Sequence, residues 1–259
     1  LNAAEYGVPQ LRKRAITIAI HDSVKYPSKW LRLDEIFPTP TTQVHANGME
    51  LQGNDYSFSN HVSVLDAIGD LPKLKAGEIK GSYASGPQSD YQYMMRNGST
   101  LLSNHQAREH SKDFVDNKIK KIKEGGSSKD LGEGERFDEG REKEYLSQAY
   151  GRLHRKSLAY TITCHFLNPG SGRFIHYKDH RAITVREAAR FQSFEDSFVF
   201  SGTLQEQAQQ VGNAVPPLLA RAIAENLSQL INPQKDWIMA AKKKTTNKSD
   251  YSAEIKNHC

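Results

Sequence analysis

The apolar positions along this chain predict one short strand near its start and several helices further on. In "RAITIAI" the side chains of Ile16, Ile18 and Ile20 alternate with smaller residues, which predicts a strand with one well-buried face. In "SVLDAIGDLP" Ser63 is suited to cap a helix, and Pro72 prevents that helix from continuing.

A second helix is predicted in "KDFVDNKIKKIKEGG", where Val115, Ile119 and Ile122 keep helical spacing and Gly125-Gly126 ends it. The glycine-rich, charged segment that follows predicts a loop. Short elements separated by Pro, Gly, Ser and Asn make up the whole stretch 22–177. This middle region is therefore interpreted as an irregular domain rather than a repeating one.

Two further helices are predicted near the end of the sequence. Thr184 and Glu187 have the T-x-x-E spacing of a capping box, in which each side chain satisfies the other's backbone donor. Pro216 and Pro217 suit the first turn of the last helix, and Asn232-Pro233 stops it. Apolar residues follow that first turn at near-helical spacing, namely Leu219, Ile223, Leu227 and Leu230.

Composition narrows the class of protein. The 259 residues carry a formal charge of +5 and 25% charged side chains, which weakly favours phosphate-bearing partners. The two cysteines, Cys164 and Cys259, leave no disulfide framework and no four-ligand zinc pattern, and they fit a reducing, cytoplasmic compartment. The sequence contains no apolar run of about 18 residues that would span a membrane. Its ten histidines show no metal-ligand spacing.

Three blocks together resemble the carboxy-terminal half of bacterial DNA (cytosine-5)-methyltransferases. "AEYGVPQLRKR" resembles that family's Gln-x-Arg-x-Arg block, here Gln10, Arg12 and Arg14. "RAITVREAARFQSFEDSF" resembles the block that supports the target-recognition domain, with Arg186 and Glu187 as the expected dipeptide. "VGNAVPPLLARAIAENL" resembles the final block, a turn and helix that return to the catalytic domain.

The resemblance implies an α/β fold. It consists of the carboxy-terminal part of a Rossmann-like, S-adenosylmethionine-dependent methyltransferase domain plus a smaller, irregular, mainly β target-recognition domain. The implied boundaries are 1–22 for the catalytic-domain strand with the Gln-x-Arg-x-Arg block, 23–202 for the target-recognition domain with its supporting helix, 203–232 for the return helix, and 233–259 for a flexible basic tail.

The sequence departs from the family pattern in two ways. Phe194-Glu195-Asp196 stands where the family commonly has Phe-Pro-Asp, which does not change the assignment. The family's Gly-rich cofactor loop, Pro-Cys nucleophile and Glu-Asn-Val acid block do not occur, and neither Cys164 nor Cys259 follows a proline. Because the sequence opens on Leu1, we expect it to begin inside a longer reading frame, or to act with a separate subunit that carries the catalytic half.

The first block carries the pocket for the target base. By resemblance, Arg14 contacts the carbonyl edge of a cytosine flipped out of the DNA helix, and Arg12 and Gln10 organise that pocket. Taken alone, the same residues would be interpreted as a solvated basic strand end.

The final block carries part of the S-adenosylmethionine site by the same resemblance. Asn213 would complete the cofactor pocket, while Ala214 and Val215 approach the methionine portion of the cofactor. The structural alternative is that Gly212-Asn213 only makes the turn into the last helix, and the two roles are compatible.

Other charged residues have different expected roles. Arg186 and Glu187 are interpreted as structural, since they cap a helix and brace the recognition domain. Arg152, Arg155 and Lys156 in "GRLHRKS" are candidates for DNA contacts, with a solvated charged surface as the alternative. The lysines between 118 and 123 and those of the tail are interpreted mainly as solvated, although they can add salt-dependent affinity.

The leading hypothesis is the recognition half of a bacterial DNA cytosine-5 methyltransferase, inactive alone, that acts on double-stranded DNA within a restriction-modification system. A catalytically inactive DNA-binding module is one alternative. A protein-interaction subunit with an incidental basic surface is another. An upstream coding segment with a Gly-rich loop and a Pro-Cys dipeptide would separate the enzyme from the binding module.

Overall fold

The computed structural model describes residues 1–21, 36–41, 61–131 and 148–231. The chain divides into two compact units. The first consists of Leu1–Ile16 and Pro40–Leu219, and the second of Thr17–Thr39 and Ala220–Cys259. The α-helices within the described residues are α1 Val64–Ile68, α2 Asp90–Arg96, α3 Lys112–Asn117, α4 Val185–Phe191, α5 Leu204–Asn213 and α6 Pro217–Ile231. Single 3-10 turns occur at Ala3–Tyr6, Ile119–Lys121, Ser128–Asp130 and Pro169–Ser171.

The predicted caps of α1 and α4 are confirmed. The Ser63 hydroxyl accepts from the backbone N–H of Asp66, and the Asp66 carboxylate accepts from the N–H of Ser63. Thr184 and Glu187 form the same reciprocal box at the start of α4. These caps are local, because donor and acceptor lie three residues apart, so the sequence pattern is sufficient to predict them.

The helix predicted from Lys112 is shorter than expected. It ends at Asn117, and Lys118 leaves the helical region before a separate 3-10 turn begins at Ile119. In a 3-10 turn residues three apart lie on the same side. Ile119 and Ile122 are therefore both buried, in a small cluster with Leu131 and Ile175.

Helix α4 lies in the core of the first unit. All seven of its residues are buried, including the charged Arg186, Glu187 and Arg190. Apolar side chains from distant parts of the unit form the core cluster that contains the helix, among them Ile68, Met95, Leu153, Phe166, Phe174, Phe191, Phe200 and Val211. Among the described residues, a large apolar cluster thus includes four side chains of α4, within the second sequence block, namely Val185, Ala188, Ala189 and Phe191.

The prediction of a mainly β recognition domain is not confirmed by the described residues. Within them the backbone pairs occur only as isolated bridges, which join Asn2 to Lys13, Gln10 to Ala159, Ile79 to Gln106, Arg152 to Ile175, and Ile175 to Ala182. Turns, side-chain hydrogen bonds and short helices connect the described parts of the middle region instead.

The strand predicted after Arg14 is only partly reproduced. Ile16, Ile18 and Ile20 are half-buried and their neighbours Thr17 and Ala19 are exposed, as the alternation predicts. No ladder pairs this segment with another among the described residues, and its apolar face is not fully buried.

In the second unit, the Asn226 side chain of α6 donates to the carbonyl of Ile36 at 2.7 Å. The start of α6 at Pro217 agrees with the prediction, while the stop at Asn232-Pro233 lies outside the described residues.

Candidate functional site

The Gln-x-Arg-x-Arg block lies along residues 159–162. The Ala3–Tyr6 turn ends at Gly7, whose φ of 80° suits glycine, and the chain then runs into the block. Leu11 donates its backbone N–H to the carbonyl of Ala159 at 2.8 Å, and Gln10 forms a parallel bridge with Ala159. The first block is therefore held against a segment about 150 residues further along the chain.

Gln10 is fully buried, and both ends of its side-chain amide are used. Its Nε2 donates to the carbonyl of Phe191 and to Oε1 of Gln192, each at 2.8 Å. Its Oε1 accepts from the backbone N–H of Ile162 at 2.9 Å. One side chain thus connects the end of α4 to the 159–162 segment.

Arg12 makes a second connection beside the first. Its guanidinium donates to the carbonyls of Ile162 at 2.8 Å, Gly212 at 3.1 Å and Ala214 at 3.2 Å, and only 4% of the residue is exposed. Burial, with a smaller contribution from the charge of Arg14, lowers the pKa of Arg12 to about 10. The group therefore remains charged near neutral pH and bonds strongly to the carbonyls.

Arg14 has a different environment from the other two members of the block. It is exposed, and its Nη1 donates to the carbonyl of Lys13 at 2.8 Å. The block thus contains two buried residues, Gln10 and Arg12, that hold backbone segments together, and one accessible guanidinium two residues further on.

The end of α4 adds contacts that the sequence did not predict. Nε2 of Gln192 donates to the carbonyl of Val211 at 2.8 Å, and the hydroxyl of Ser193 accepts from the N–H of Leu218 at 3.1 Å. Ser193 has a φ of 64°, which is uncommon for a residue other than glycine. Gln192 and Ser193 therefore fix both sides of the turn between α5 and α6.

Residues 212–215 form this turn and the end of α5. Gly212 is buried, and a Cβ atom there would lie 2.3 Å from the backbone nitrogen of Cys164, so the close approach requires glycine. The structural alternative expected Gly212 and Asn213 to form only the turn into α6. They are instead the last two residues of α5. Helix α5 was not predicted, although Thr203 and Glu206 give it the same capping box as α4.

The accessible part of this turn is small and mixed in character. Asn213 is exposed beside an open concavity of about 520 Å³, and the Val215 side chain is 58% exposed. An amide next to an apolar side chain fits a ligand with a polar amino-acid end and apolar hydrocarbon surface, such as S-adenosylmethionine, whose sulfur is a charged sulfonium. Asn213 lines this concavity, whereas Ala214 and Val215 follow Asn213 in the chain and are not among the lining residues.

Arg186 and Glu187 occupy structural positions. Arg186 donates to the carbonyls of Ser103, Glu195 and Phe198. Glu187 accepts two hydrogen bonds, of 2.7 and 2.8 Å, from Arg181. Although burial acts to raise it, the positive charge of Arg181 holds the pKa of Glu187 below its ordinary value. The charged groups of both side chains form hydrogen bonds within the unit, which is consistent with a structural role.

A buried charge network that sequence reasoning missed lies on the same helix. Arg190 pairs with Asp70 at 2.8 Å and with Asp196 at 2.6 Å, and all three side chains are fully buried. Asp70 also accepts from Arg96. Asp70 belongs to the segment "AIGDLP" of the middle region. Its ion pair with Arg190 connects this segment to the second block.

The structure separates the three predicted DNA-contact residues. Arg152 is 3% exposed, and its guanidinium donates to the carbonyls of Ile119, Ile122, His176 and Asp179. The prediction of a DNA contact does not suit Arg152 in this arrangement, because all its donors are directed into the fold. Its bridge partner Ile175 and its four acceptors all lie 23 or more residues away, so no local pattern around Arg152 indicates this burial.

Arg155 and Lys156 are exposed, as the prediction requires. Arg155 forms a bidentate ion pair with Glu124, in which Nε donates to Oε1 and Nη2 donates to Oε2. These hydrogen bonds raise the pKa of Arg155. The neighbouring "TITCHF" segment packs on the first block, since the Thr161 hydroxyl donates to the carbonyl of Leu11.

Within residues 1–21, 36–41, 61–131 and 148–231, no group of three His, Cys, Asp or Glu side chains is arranged to hold a metal ion. A search of the same residues found no helix long and apolar enough to cross a membrane.

Comparison with known proteins agrees with this arrangement. The chain is similar to the type II methyltransferase M1.HphI of Haemophilus parahaemolyticus, with 36% identity over 87% of this chain and 45% of that protein. It is also similar to the type II methyltransferase M.DdeI of Desulfomicrobium norvegicum, with 34% identity over 88% of this chain and 53% of that protein. The chain therefore spans about half the length of these curated relatives.

A solved structure and a family model complete the comparison. The structure of a DNA modification methyltransferase encoded within an E. coli prophage matches 90% of this chain and 59% of its own, with a TM-score of 0.61 and 21% identity, which shows a shared fold. The family model described as C-5 cytosine-specific DNA methylase matches residues 1–229, across all three sequence blocks. The chain belongs to the C-5 cytosine-specific DNA methylase family.

Proposed function

We propose that this chain provides the target-recognition region and part of the reaction pocket of a DNA cytosine-5 methyltransferase from a restriction-modification system. The observation that carries the proposal is the convergence of the three sequence blocks. Gln10 and Arg12 donate hydrogen bonds to the backbone of Ile162, Phe191 and Gly212, which belong to three separate parts of the chain. Such a framework can fix a base-binding pocket in one geometry before DNA arrives.

Arg14 is the residue assigned to the target cytosine. It follows the two buried framework residues and is exposed, and its backbone N–H and carbonyl both bond to Leu1 at 2.9 Å, so the guanidinium is accessible while the backbone is held. A planar, permanently charged donor group suits the carbonyl oxygen of a flipped cytosine. It also stabilises negative charge that develops when a thiolate adds to carbon 6 of the ring.

Asn213, Ala214 and Val215 are assigned to one edge of the cofactor site. When bound, S-adenosylmethionine supplies the methyl group that is transferred to carbon 5 of cytosine. In this chain the Asn213 amide would hold the polar end of the cofactor, and Val215 would contact its apolar part. The hydrogen bonds of Arg12 and Gln192 to the neighbouring backbone fix the position of both residues.

The nucleophilic thiolate is assigned to polypeptide outside these 259 residues. Cys164 follows threonine rather than proline, and its backbone packs directly on Gly212. Cys164 is partly exposed, but a backbone packed this closely against a buried glycine is typical of a structural position. The chain alone is therefore proposed to be inactive.

The test is methyl transfer from labelled S-adenosylmethionine to duplex DNA, measured with the chain alone and with a candidate partner that carries a Gly-rich loop and a Pro-Cys dipeptide. Transfer is expected only in the mixture. Arg14→Ala should abolish it there, while the adjacent exposed substitution Lys13→Ala should retain it. DNA binding without transfer by any mixture would favour the inactive binding module. A chain that binds no DNA would favour the interaction subunit.

A further inference from the structure

A pocket of about 520 Å³ lies on the first unit, away from the residues assigned above to cytosine and cofactor. It is formed by the end of α1 and the loop after it, by the loop 80–85, and by residues 176–179. Four of its lining residues are lysine or arginine, namely Lys73, Lys80, Arg155 and Lys178. It is called the lysine pocket below.

Buried hydrogen bonds fix the two loops that carry Lys73 and Lys178. The backbone N–H of Leu74 donates to the carboxylate of Asp179 at 3.2 Å, and the buried Arg181 donates to the carbonyl of Leu74 at 3.2 Å. Arg152 holds the carbonyl of Asp179 at 2.9 Å. The two lysines are therefore set on a rigid frame on one side of the pocket.

The carboxylates that line the lysine pocket are already compensated. Asp70 is paired with Arg190 and Arg96, and Asp179 is paired with Arg181 at 3.0 Å. Among the described residues, no carboxylate lies within ion-pair distance of Lys73 or Lys178, and both are exposed. The ammonium of Lys80 donates to the carbonyl of Lys73, which adds a third positive charge nearby. The pocket thus presents a local excess of positive charge.

The remaining wall of the lysine pocket is apolar. Leu65, Leu71 and Pro72 line it together with the half-buried ring of Tyr177. The Arg155 guanidinium lies 5.8 Å from the centre of that ring and is held by Glu124. A positively charged mouth over an apolar, aromatic wall suits a phosphate that carries a sugar, and the volume exceeds that of a bare phosphate.

We propose that the lysine pocket binds one backbone phosphate of duplex DNA together with its sugar. This inference rests on the proposed function, since the DNA substrate supplies the phosphate. The contact would position the duplex without reading its sequence. A free nucleotide has the same chemistry, so the experiment has to separate the two sources.

The test is the salt dependence of duplex DNA binding by the full chain and by the double variant Lys73→Gln/Lys178→Gln. Each neutralised phosphate contributes about 0.9 to the slope of the logarithm of affinity against the logarithm of salt concentration, so loss of the contact to one phosphate should reduce the magnitude of the slope by about 1. Lys80 is kept because its ammonium bonds within the pocket. The matched control Lys112→Gln/Lys129→Gln removes the same charge from two exposed lysines outside the pocket and should leave the slope near that of the unsubstituted chain.

Thermal unfolding of both double variants should match that of the unsubstituted chain, because all four lysines are exposed. Equal slopes for the pocket variant and the unsubstituted chain would overturn the inference while leaving the proposed function intact. An equal fall in both double variants would also overturn it, in favour of diffuse electrostatics. Thymidine monophosphate that binds the unsubstituted chain but not the pocket variant, with no change in DNA affinity, would assign the pocket to a free nucleotide instead. A chain without any DNA affinity would refute the proposed function itself.

Discussion

The side chain of Arg12 donates a hydrogen bond of 3.1 Å to the carbonyl oxygen of Gly212, which lies 200 residues further along the chain. The same guanidinium reaches Ile162 and Ala214. One buried cation thus fixes the distance between the recognition region and the turn that is assigned to the cofactor. The stability of the unit and the geometry of the site depend on the same contact.

Substitution of Arg12 should therefore destabilise the first unit strongly. Arg12→Ala leaves two buried carbonyl oxygens and a partly buried one without this donor, and the free energy of unfolding should fall by about 3 kcal/mol. Urea unfolding monitored by circular dichroism measures it. The control Arg14→Ala removes an exposed guanidinium two residues away and should change the free energy of unfolding by less than about 0.5 kcal/mol. A loss for Arg12→Ala as small as that expected for Arg14→Ala would show that Arg12 does not hold the unit together.

Gln10 and Gln192 should behave as one coupled pair. Their side chains share a hydrogen bond of 2.8 Å, and each also bonds to the backbone on its far side. In a double-mutant cycle with Gln10→Met and Gln192→Met, the combined loss of stability should be smaller than the sum of the single losses by about 1 kcal/mol. Strict additivity would mean that the two amides act independently.

Local patterns explain why parts of this arrangement were predictable from sequence. The caps at Ser63 and Thr184 need only a hydroxyl and a carboxylate three residues apart, so the spacing predicts them directly. Helix α5 has the same signal at Thr203, but its sequence contains few apolar residues at helical spacing and no helix was predicted there. At Thr203 the capping motif therefore indicates the start of a helix better than the spacing of apolar residues does.

The roles of individual arginines were less predictable, because the sequence does not show which charges become buried. Arg152 and Arg155 stand three residues apart in one basic stretch, yet the first is buried and bonded to distant carbonyls and the second is exposed. The acceptors of Arg152 come from residues 119–122 and 176–179, and only the tertiary fold brings them together. A pattern of charges in the sequence therefore indicates which segment is a candidate for DNA contacts, but not which of its side chains is exposed.

The buried pair formed by Arg190 with Asp70 and Asp196 gives a further prediction. Arg190→Met would remove the cation that two buried carboxylates share, leaving Asp70 with Arg96 and Asp196 with Arg186 and Tyr83, and the free energy of unfolding should fall by about 3 kcal/mol. Chemical denaturation of the purified chain measures this loss. In the control Lys120→Met, which removes an exposed partner of Asp116, no measurable change is expected. A small loss for Arg190→Met would mean that the two carboxylates find other donors or become protonated.

Stability should decline in mild acid because of His176. Burial lowers the pKa of His176 to about 4 from an ordinary value of 6.5, despite the opposing charge of Glu187. The unfolded chain therefore binds more protons than the folded chain between these two values. The stabilisation is fully present above pH 6.5 and is lost as pH falls towards 4, by about 3 kcal/mol in total.

The measurement is urea unfolding at several pH values between about 7.5 and about 5, for the unsubstituted chain and for His176→Gln. The variant should show a shallower decline, because its side chain does not titrate. A residual slope is expected from His105, whose pKa is also lowered by burial. Identical pH profiles for the two proteins would assign the decline to other groups.

Gly212 offers a test that links stability to the proposed activity. In Gly212→Ala the new Cβ atom would lie 2.3 Å from the backbone nitrogen of Cys164 and 2.5 Å from its Cα, so backbone on one side has to move. The free energy of unfolding should fall by about 1 to 3 kcal/mol. Gly86→Ala is the matched control, because a Cβ there meets no atom within 4 Å.

The same displacement would move the carbonyls that Arg12 holds, and with them Asn213 and Val215. In a mixture competent for methyl transfer, Gly212→Ala should therefore raise KM for S-adenosylmethionine more than KM for DNA, at a temperature where the variant remains folded. Gly86→Ala should change neither value. Equal effects on both substrates would show that the turn supports the fold as a whole and does not shape a cofactor site.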